Sequence, residues 1–468
     1  MRSKLFFLLV LLSALHWKAQ SQYDTMPRLS EQGFLAIVRA YHPVAKQASN
    51  NVLIAKAGVT IARGGFDPVL TDNFERKRFG GDLYYSYYNP ELQIPTWYGV
   101  ELYTGIENIN GTKLNPESSV GQTSYLGASV PLLKDLVIDK RRAALQQAKL
   151  FVKQSEAEQQ LAVNDLLFDA VAEYWEWLRA YQVFQIFDAS EKVNLARFGF
   201  VKQEVLQGNR PAIDTVEALT QLQQVQLMKT DAYLKFQNET IALSAYMWSQ
   251  TGEPVALNEN ITPDDKWKDQ WVSFQAPTYE EALTLSDNHP KLKSFGFKLD
   301  ALAIEKKLKF QSLLPKFDAK MQLLNKGYNV VDKVSAGFLE NNYKFGFQFV
   351  MPLRLSEARG AYKQAGLKIQ NTVLDQSLTQ LGIRNKVKTY YNEVFTLKQQ
   401  IVLYENAVQN YYRLLIGERQ KYEIGESTLF VLNSREQKWL EASQKLIELK
   451  TKYYKSNAGL VWAAGGLK

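Results

Sequence analysis

Apolar residues recur along this chain with two spacings, and the spacing changes at prolines. From about Ser30 to Arg63 and from about Tyr279 to Ser312 the apolar spacing is near 3.6 residues, which predicts helices. Between Pro315 and Pro352 apolar and polar residues alternate, which predicts strands with one apolar face. The apolar positions of these strands are Phe317, Ala319, Met321 and Leu323, followed by Tyr343, Phe345, Phe347, Phe349 and Met351.

The same landmarks occur twice in the same order, which indicates an internal duplication. We predict a first repeat over 22–250, a connection between repeats over 251–277, and a second repeat over 278–468. The paired landmarks are His42-Pro43 with His289-Pro290, Pro68 with Pro315, Val130-Pro131-Leu132 with Met351-Pro352-Leu353, and Tyr174 with Tyr391. The distance from Tyr174 to Gly208 equals the distance from Tyr391 to Gly425.

The predicted strand region is longer in the first repeat, at about 66–131, than in the second, at about 315–352. The first region contains three strand candidates, near 68–79, 96–109 and 121–131. If both flanking helices lie on one side of a membrane, the number of crossings is even, so one candidate is expected not to span. The tyrosines near 84–103 suit either an interfacial aromatic belt or a packed extracellular loop.

A helix of unusual length follows each strand region, from about Asp139 to Leu206 and from about Ser356 to Ile424. No proline follows Pro352, so the second of these is uninterrupted. At about 1.5 Å per residue each helix would extend about 100 Å. The helices are predicted to end in turns at 206–211 and 423–428, from which helices return over about 211–250 and 428–458.

The start of the chain predicts export. A basic start, an apolar core over 5–15 and small residues at Ala19 and Ser21 predict a signal peptide over 1–21. Its removal takes away three basic residues and no acid, which lowers the formal net charge from +8 to +5 and does not favour nucleic acid as a partner. The absence of cysteine excludes disulfides, thiolate metal sites and a lipoprotein anchor. Beyond the signal peptide no run of about 18 apolar residues occurs, so any membrane segment is expected to be closed β-structure.

These landmarks together resemble the TolC family of outer-membrane efflux channels over essentially the whole mature sequence. The segments that carry the resemblance are Val130-Pro131-Leu132-Leu133, Asp139-Lys140-Arg141-Arg142-Ala143 and Tyr422-Glu423-Ile424-Gly425-Glu426-Ser427, within the duplicated order of helix, strands, long helix and glycine turn.

The resemblance implies a mostly α fold with a small β part, in which a trimer forms one 12-stranded outer-membrane β-barrel continued by a periplasmic α-helical tunnel. Each chain would supply four strands. The implied function is a passive conduit in a tripartite efflux or type I secretion system, without enzymatic activity or cofactor. The implied partners are two further copies of the chain, a periplasmic adaptor, an inner-membrane pump or ABC exporter, and outer-membrane lipid.

Three groups of residues are candidates for functional roles. In the two tip turns, adaptor contact is expected at Gly208, Asn209, Arg210, Gly425, Glu426 and Ser427. Lipid or girdle contact is expected at Tyr343, Phe345, Phe347, Phe349, Trp97 and Tyr98. A candidate constriction consists of Asp214 and Glu217, since the second repeat has no acid after its turn until Glu436. Asp214 also suits a plain role in the first turn of a helix, where the helix dipole favours an acid.

Several alternatives stay open at the level of the sequence. Tyr174, Trp175 and Trp177 suit a substrate-binding cluster or, more often, the seam between packed helices. His42 and His289 lack the convergent ligands that a metal site requires, and no catalytic motif stands out. The main alternative function is a periplasmic or surface coiled-coil scaffold in which the short strands form a small soluble sheet.

Overall fold

The computed structural model describes residues 28–115, 117–258, 261–265, 267–268, 277–328 and 342–467. The predicted signal peptide lies outside these residues, as does part of the predicted connection. The chain divides into two compact units. Unit 1 comprises Met1–Ser49, Gln159–Pro290 and Gln380–Lys468, and unit 2 comprises Asn50–Glu158 and Lys291–Thr379.

The elements alternate between helices and strands twice, as the duplication predicts. In chain order they are β1 (Arg28–Leu29), α1 (Glu31–Tyr41), α2 (Pro43–Gly64), β2 (Val69–Phe79), β3 (Asp82–Pro95), β4 (Glu101–Asn110), β5 (Gly121–Pro131), α3 (Lys140–Leu206), α4 (Ile213–Ser244), β6 (Thr262–Pro263), α5 (Tyr279–Asp287), α6 (Pro290–Gln311), β7 (Lys316–Lys326), β8 (Tyr343–Val350), α7 (Ser356–Glu423) and α8 (Leu429–Ala463).

Each repeat begins with two helices where the sequence predicted one. The first break falls at His42, whose ψ of 136° is extended and which directly precedes Pro43. A proline disfavours helical backbone at the residue before it, which explains the break. The second break falls between Asp287 and Pro290, at the matching His-Pro pair. The duplication is therefore visible in the position of the break as well as in the order of elements.

The long helices have the predicted lengths. α3 contains 67 residues and α7 contains 68, and both contribute residues to both units. Neither contains a proline, so every backbone hydrogen bond of the helix can form. None of the helices in the described part of the chain combines the length and the apolar composition needed to cross a membrane.

The centre of unit 1 is an aromatic core on α3. Trp175 stacks on Tyr454 with ring centroids 4.2 Å apart, and the Trp177 indole donates a hydrogen bond of 2.9 Å to the Thr240 hydroxyl. The Tyr174 hydroxyl donates to the carbonyl oxygen of Leu29 at 2.9 Å. All three α3 side chains are buried, so they form the seam between packed helices.

Unit 2 contains a six-stranded antiparallel sheet in the order β2-β3-β4-β5-β7-β8. The resemblance implied that each chain supplies four strands to a barrel, and the sheet of this chain contains six. Three of the four strands of the first repeat correspond to candidates from the sequence, and the fourth is β3, which contains the tyrosine-rich stretch. The first repeat therefore contributes four strands to the sheet, an even number, and which of them span a membrane stays a prediction. The sequence missed β3 because Asn89 and Pro90 interrupt it.

Two short strands connect the start of the chain to the region between the repeats. β1 pairs with β6 in parallel, with Arg28 opposite Thr262 and Leu29 opposite Pro263. Within the predicted connection over 251–277, the described residues thus include a strand that belongs to unit 1.

Candidate functional site

The two tip turns have the same backbone geometry. Gly208 and Gly425 have φ angles of +79° and +80°, a conformation that glycine adopts without steric cost. In the first turn the amide of Gly208 donates to Val205 and the amide of Asn209 donates to Glu204. The pattern of one bond three residues back and one five residues back is the Schellman motif that ends a helix.

The second turn repeats this pattern residue for residue. The Gly425 amide donates to the carbonyl oxygen of Tyr422 at 3.2 Å, and the Glu426 amide donates to that of Lys421 at 2.9 Å. Both glycines were predicted as turn residues, and both occupy that position.

Arg210 links the first turn to the helix that ends at the second turn. Its guanidinium lies 4.1 Å from the centre of the Tyr422 ring and donates to the Tyr422 carbonyl oxygen at 3.4 Å. It also lies 3.6 Å from the carboxylate of Asp214. The side chain is thereby held against the protein although the turn around it is exposed.

Asp214 lies in the first turn of α4, the position that its interpretation as an acid favoured by the helix dipole requires. Its carboxylate, about one fifth exposed, pairs with Arg210. Glu217 lies one turn later and accepts a long hydrogen bond of 3.5 Å from the Asn433 amide. Burial, and secondarily the neighbouring charge of Asp214, raise the pKa of the Glu217 carboxyl above its usual value.

The second turn is anchored within its own repeat. The Ser427 hydroxyl donates a 2.6 Å hydrogen bond to Glu418, a residue of the last turns of α7. Thr428 caps α8 by accepting a hydrogen bond from the Val431 amide at 3.4 Å. The first repeat has no equivalent cap, because Ala212 precedes α4 and makes no side-chain hydrogen bond there.

A buried ion pair joins α3 to α8 near the turns. The Arg197 guanidinium lies 2.6 Å from Glu436, and both side chains are more than nine-tenths buried. Asn194 donates to the other carboxylate oxygen of Glu436 at 3.1 Å, and Asn433 accepts from Arg197 at 3.0 Å. Glu436, the first acid after the second turn, therefore faces the interior of the helix bundle.

An apolar cluster surrounds this network and contains residues of all four helices that flank the turns. Its buried members are Val201 of α3, Ala218 of α4, Leu415 and Tyr422 of α7, and Leu429 and Leu432 of α8. The two turns are thus held together by one small core as well as by Arg210.

The sheet of unit 2 has one face, called the apolar face, on which a row of apolar side chains crosses all six strands, although Asp72 of β2 shares this face. Directly opposite residues in an antiparallel ladder have side chains on the same face. A single row passes through every strand, and apart from one threonine all its members are apolar or aromatic. The row consists of Leu70, Leu92, Thr104, Leu126, Leu323 and Tyr343.

The predicted lipid-facing residues of β8 share this face. Tyr343, Phe345, Phe347 and Phe349 lie opposite Leu323, Met321, Ala319 and Phe317 of β7, and each of the four is more than half exposed. A run of exposed aromatic side chains along one strand is costly in water, and it suits contact with lipid.

Trp97 and Tyr98 lie elsewhere than the sequence predicted. The structure begins β4 at Glu101, so both residues belong to the turn between β3 and β4. Trp97 stacks on Phe66, which follows α2, with centroids 4.1 Å apart, and Tyr98 is almost fully exposed. They mark one end of the sheet, and a girdle role stays a prediction.

The opposite face of the sheet is polar and is connected across three strands. The Tyr125 hydroxyl of β5 donates a 2.7 Å hydrogen bond to Glu91 of β3 and accepts one from Asn89 at 3.1 Å. Between them, on β4, lies Gly105, where an added Cβ would come within 2.5 Å of the Tyr125 hydroxyl. The missing side chain is what allows Tyr125 to reach β3.

The second repeat matches a known family. Residues 284–466 match the family model described as Outer membrane efflux protein. The second repeat is thus similar to this family of outer membrane efflux proteins. The match begins in α5 and ends just beyond α8, so it includes β7, β8 and the turn at Gly425.

Solved outer-membrane channels share the fold over nearly the whole chain, including the first repeat. CmeC of Campylobacter jejuni is 15% identical, with a TM-score of 0.65 over 93% of this chain and 86% of that one. VceC of Vibrio cholerae is 15% identical, with a TM-score of 0.65 over 94% and 97% of the two chains. MtrE of Neisseria gonorrhoeae, in its open state, is 15% identical, with a TM-score of 0.67 over 94% and 90%. No curated protein matches the sequence significantly.

The resemblance to TolC-family channels is thereby confirmed by the family match in the second repeat and by the shared fold. Within residues 284–466, sequence reasoning identified the turn at Gly425 and the strand that carries the phenylalanines of β8. It missed Glu436 as the partner of Arg197, since 239 residues separate the two. The only feature of the sequence that could indicate this pair is that Arg197 and Glu436 are polar at helix positions where apolar residues are expected.

Proposed function

We propose that the protein is one subunit of a homotrimeric outer-membrane channel, a passive conduit from the periplasm to the exterior in a tripartite efflux or type I secretion system. The observation that carries this proposal is the sheet with a row of apolar side chains across all six strands on one face, a more polar opposite face, and two edges that pair with no other described strand. In lipid every backbone group needs a hydrogen-bond partner, so such a sheet is stable there only when closed by further copies. The family match in the second repeat supports the same conclusion.

In this proposal the apolar face contacts outer-membrane lipid and most of the chain lies in the periplasm. The polar face, with Glu91, Asn89 and Tyr125, lines the conduit. Transport through such a conduit involves no bond making or breaking, and the proposed role requires neither a cofactor nor enzymatic activity.

The two tip turns are the proposed contact for a periplasmic adaptor, with an inner-membrane pump or ABC exporter beyond it. Their support is geometric, because six consecutive residues at each turn project from the end of a helix pair and are mostly exposed. The residues are Gly208, Asn209 and Arg210 in the first turn and Gly425, Glu426 and Ser427 in the second. Asp214 and Glu217 stay the candidate constriction. In this arrangement the Asp214 carboxylate is already paired with the Arg210 guanidinium.

The test begins with extraction of the protein from isolated outer membranes, followed by sizing in detergent. A trimer that requires detergent is expected. A monomer that is soluble without detergent would overturn the channel proposal in favour of the periplasmic scaffold.

Insertion of a few residues into either turn then tests the adaptor assignment. Export should be lost while the trimer and its insertion persist, because only the docking surface is changed. The matched control is the same insertion in the exposed connection between β4 and β5, near Lys113. Export that survives both turn insertions would show that the adaptor docks elsewhere.

A further inference from the structure

We propose that the cleft between the N-terminal parts of α4 and α8 is a binding site for an amphipathic organic cation, held by the carboxylate of Glu217 and the ring of Phe430. The cleft has a volume of about 530 Å³ and lies entirely within unit 1 of one chain. The site is thus additional to the proposed conduit, and its presence in a single chain does not depend on the proposed trimer.

Each wall of the cleft is one face of a helix. The lining residues follow one another at steps of three and four along each helix, which places them on one side of it. They include Ile213, Val216 and Glu217 of α4, and Phe430, Asn433 and Gln437 of α8. Helix faces that pack closely against each other are mostly apolar. Polar side chains occur on both of these faces, so the two helices leave an open cleft instead of a closed seam.

The rim of the cleft is apolar and exposed. Ile213, Val216 and Phe430 are each more than half exposed in the single chain. Their surfaces are therefore available for apolar contact with a ligand in the cleft. The Phe430 ring adds an aromatic face, which attracts a cation placed over it.

The charge of the cleft comes from Glu217, which forms no ion pair with a described residue. Its carboxylate accepts the long hydrogen bond of 3.5 Å from the Asn433 amide. Burial is the largest cause that raises the pKa of this carboxyl, and no neighbouring cation lowers it. A partly buried carboxylate costs free energy unless a cation compensates its charge. The site therefore favours a positively charged ligand.

The basic residues of the described helices around the cleft already have acidic partners. The pairs are Arg197 with Glu436, Arg210 with Asp214, Arg435 with Glu418, and Lys438 with Glu441, at 2.6, 3.6, 3.6 and 3.1 Å respectively. None of these four cations can neutralise Glu217 without leaving its own partner. Compensation of the Glu217 charge is thereby left to a cation from outside the chain.

The combination of one charge with an apolar rim selects the class of ligand. A small inorganic cation would satisfy the carboxylate and leave the rim unused. In the part of the chain that the structure describes, no group of three or more acidic or histidine side chains could hold a metal ion. Sites of about 300–1,000 Å³ that combine apolar contacts with a few placed polar groups suit drug-sized molecules. An organic cation with apolar groups uses both features of this cleft.

Binding of tetraphenylphosphonium to the purified protein in nonionic detergent tests the inference. Tetraphenylborate is the first matched probe, because it has the same shape and apolar surface and the opposite charge. Tetramethylammonium is the second, because it has the positive charge without the phenyl rings. In calorimetric titrations with protein-free micelles as the baseline, we expect saturable binding of tetraphenylphosphonium and of neither other ion.

Two substitutions test the residues that hold the cation. Glu217→Gln removes the charge and keeps the shape, so it should weaken tetraphenylphosphonium binding by about tenfold or more. Phe430→Leu keeps an apolar rim and removes the ring, so it should weaken binding roughly threefold. The matched control is Asp231→Asn, at an exposed acid farther along α4, which should leave binding unchanged.

The affinity should also depend on pH. Tetraphenylphosphonium keeps its charge at every pH, so any change of affinity reports a group of the protein. Because the pKa of Glu217 is raised above its usual value of 4.5, its negative charge is lost as pH falls through that higher value. Binding to the natural protein should weaken there, whereas the Glu217→Gln variant should bind equally weakly over the whole range.

Four results would overturn the inference. They are equal binding of tetraphenylphosphonium and tetraphenylborate, absence of saturable binding, an affinity unchanged by Glu217→Gln, and equal weakening by Asp231→Asn. If Glu217→Gln does not fold, Phe430→Leu and the pH dependence of the natural protein decide between the same outcomes. Sizing in detergent stays a separate result, because a monomer would overturn the channel proposal and leave the binding data to be judged by themselves.

Discussion

The turn at Gly208 and the turn at Gly425 leave their helices with the same backbone and are then held in different ways. Each has a glycine near φ +80° and the same pair of backbone hydrogen bonds. The first turn is anchored by Arg210, which reaches across to Tyr422 of the other repeat. The second turn is anchored within its own repeat, by the bond from Ser427 to Glu418.

The difference shows how a duplicated unit acquires asymmetry without a change of fold. The backbone of a helix-ending turn is determined locally by glycine, so both copies keep it. The contacts of the side chains around each turn depend on the neighbouring helices, and the residues of those helices differ between the two repeats. The side-chain anchor of the first turn therefore lies in the second repeat, whereas the hydrogen bond that anchors the second turn lies within its own repeat.

The largest effect is expected from the buried ion pair that both turns share. Replacing Glu436 with alanine leaves the Arg197 guanidinium buried without its charged partner, which costs about 3–5 kcal/mol of unfolding free energy. Denaturant unfolding in detergent measures the loss. The double variant with Arg197→Met and Glu436→Leu is the control, and it should recover much of the loss because no unpaired charge stays behind. A single variant as stable as the natural protein would show that the pair is solvated.

A smaller and equal effect is expected at the two glycines. Alanine at Gly208 or at Gly425 has to adopt a left-handed backbone, at about 1–2 kcal/mol each. Amide hydrogen exchange of the turn peptides measures the loosening. Gly199 of α3, a helical glycine with open space where a Cβ would lie, is the control, since alanine there should be neutral or stabilising. Clearly unequal effects at the two turns would contradict their shared geometry.

A still smaller effect distinguishes the anchors. Arg210→Ala removes the contact with the Tyr422 ring, worth about 1 kcal/mol, and should increase exchange in the turn at 206–211. Ser427→Ala should increase exchange at 423–428 and leave the first turn unchanged. Arg210→Lys keeps the charge near Asp214 and loses the planar stack, so it should fall between the natural protein and the alanine variant. Equal loosening of both turns by either variant would abolish the distinction.

The smallest effect concerns pH at Glu217. Its pKa is raised mainly by burial, so the folded state favours the protonated form. The associated stability is present below the usual pKa of 4.5 and is lost as pH rises through the higher folded value. Glu217→Gln should therefore stabilise the protein at pH 7, by about 0.5 kcal/mol or less. It should also flatten the pH dependence between 4.5 and neutrality in unfolding measurements. Asp188→Asn is a control on the same bundle, because burial does not dominate there and the pKa is lowered by Lys192 and Lys229.

Local patterns in the sequence were sufficient for the main order of elements, apart from β3 and the helix breaks before Pro43 and Pro290. Glycine, proline and apolar spacing act over a few residues, so the long helices, the strands β7 and β8 and both tip turns were predicted with bounds close to those observed. The signal peptide, the adaptor contact and the lipid contact stay predictions. The phenylalanines of β8 were predicted to share one face for the same local reason, since the strand period is two.

Only the tertiary structure decided which residues distant in the sequence meet. The Arg197–Glu436 pair, the contact between Arg210 and Tyr422, and the reach of Tyr125 to Glu91 join residues from 34 to 239 positions apart. Their pairing depends on the relative placement of whole helices and strands, which no local spacing encodes. The same reason applies to β3, because its place in the sheet depends on the two neighbouring strands that satisfy its backbone.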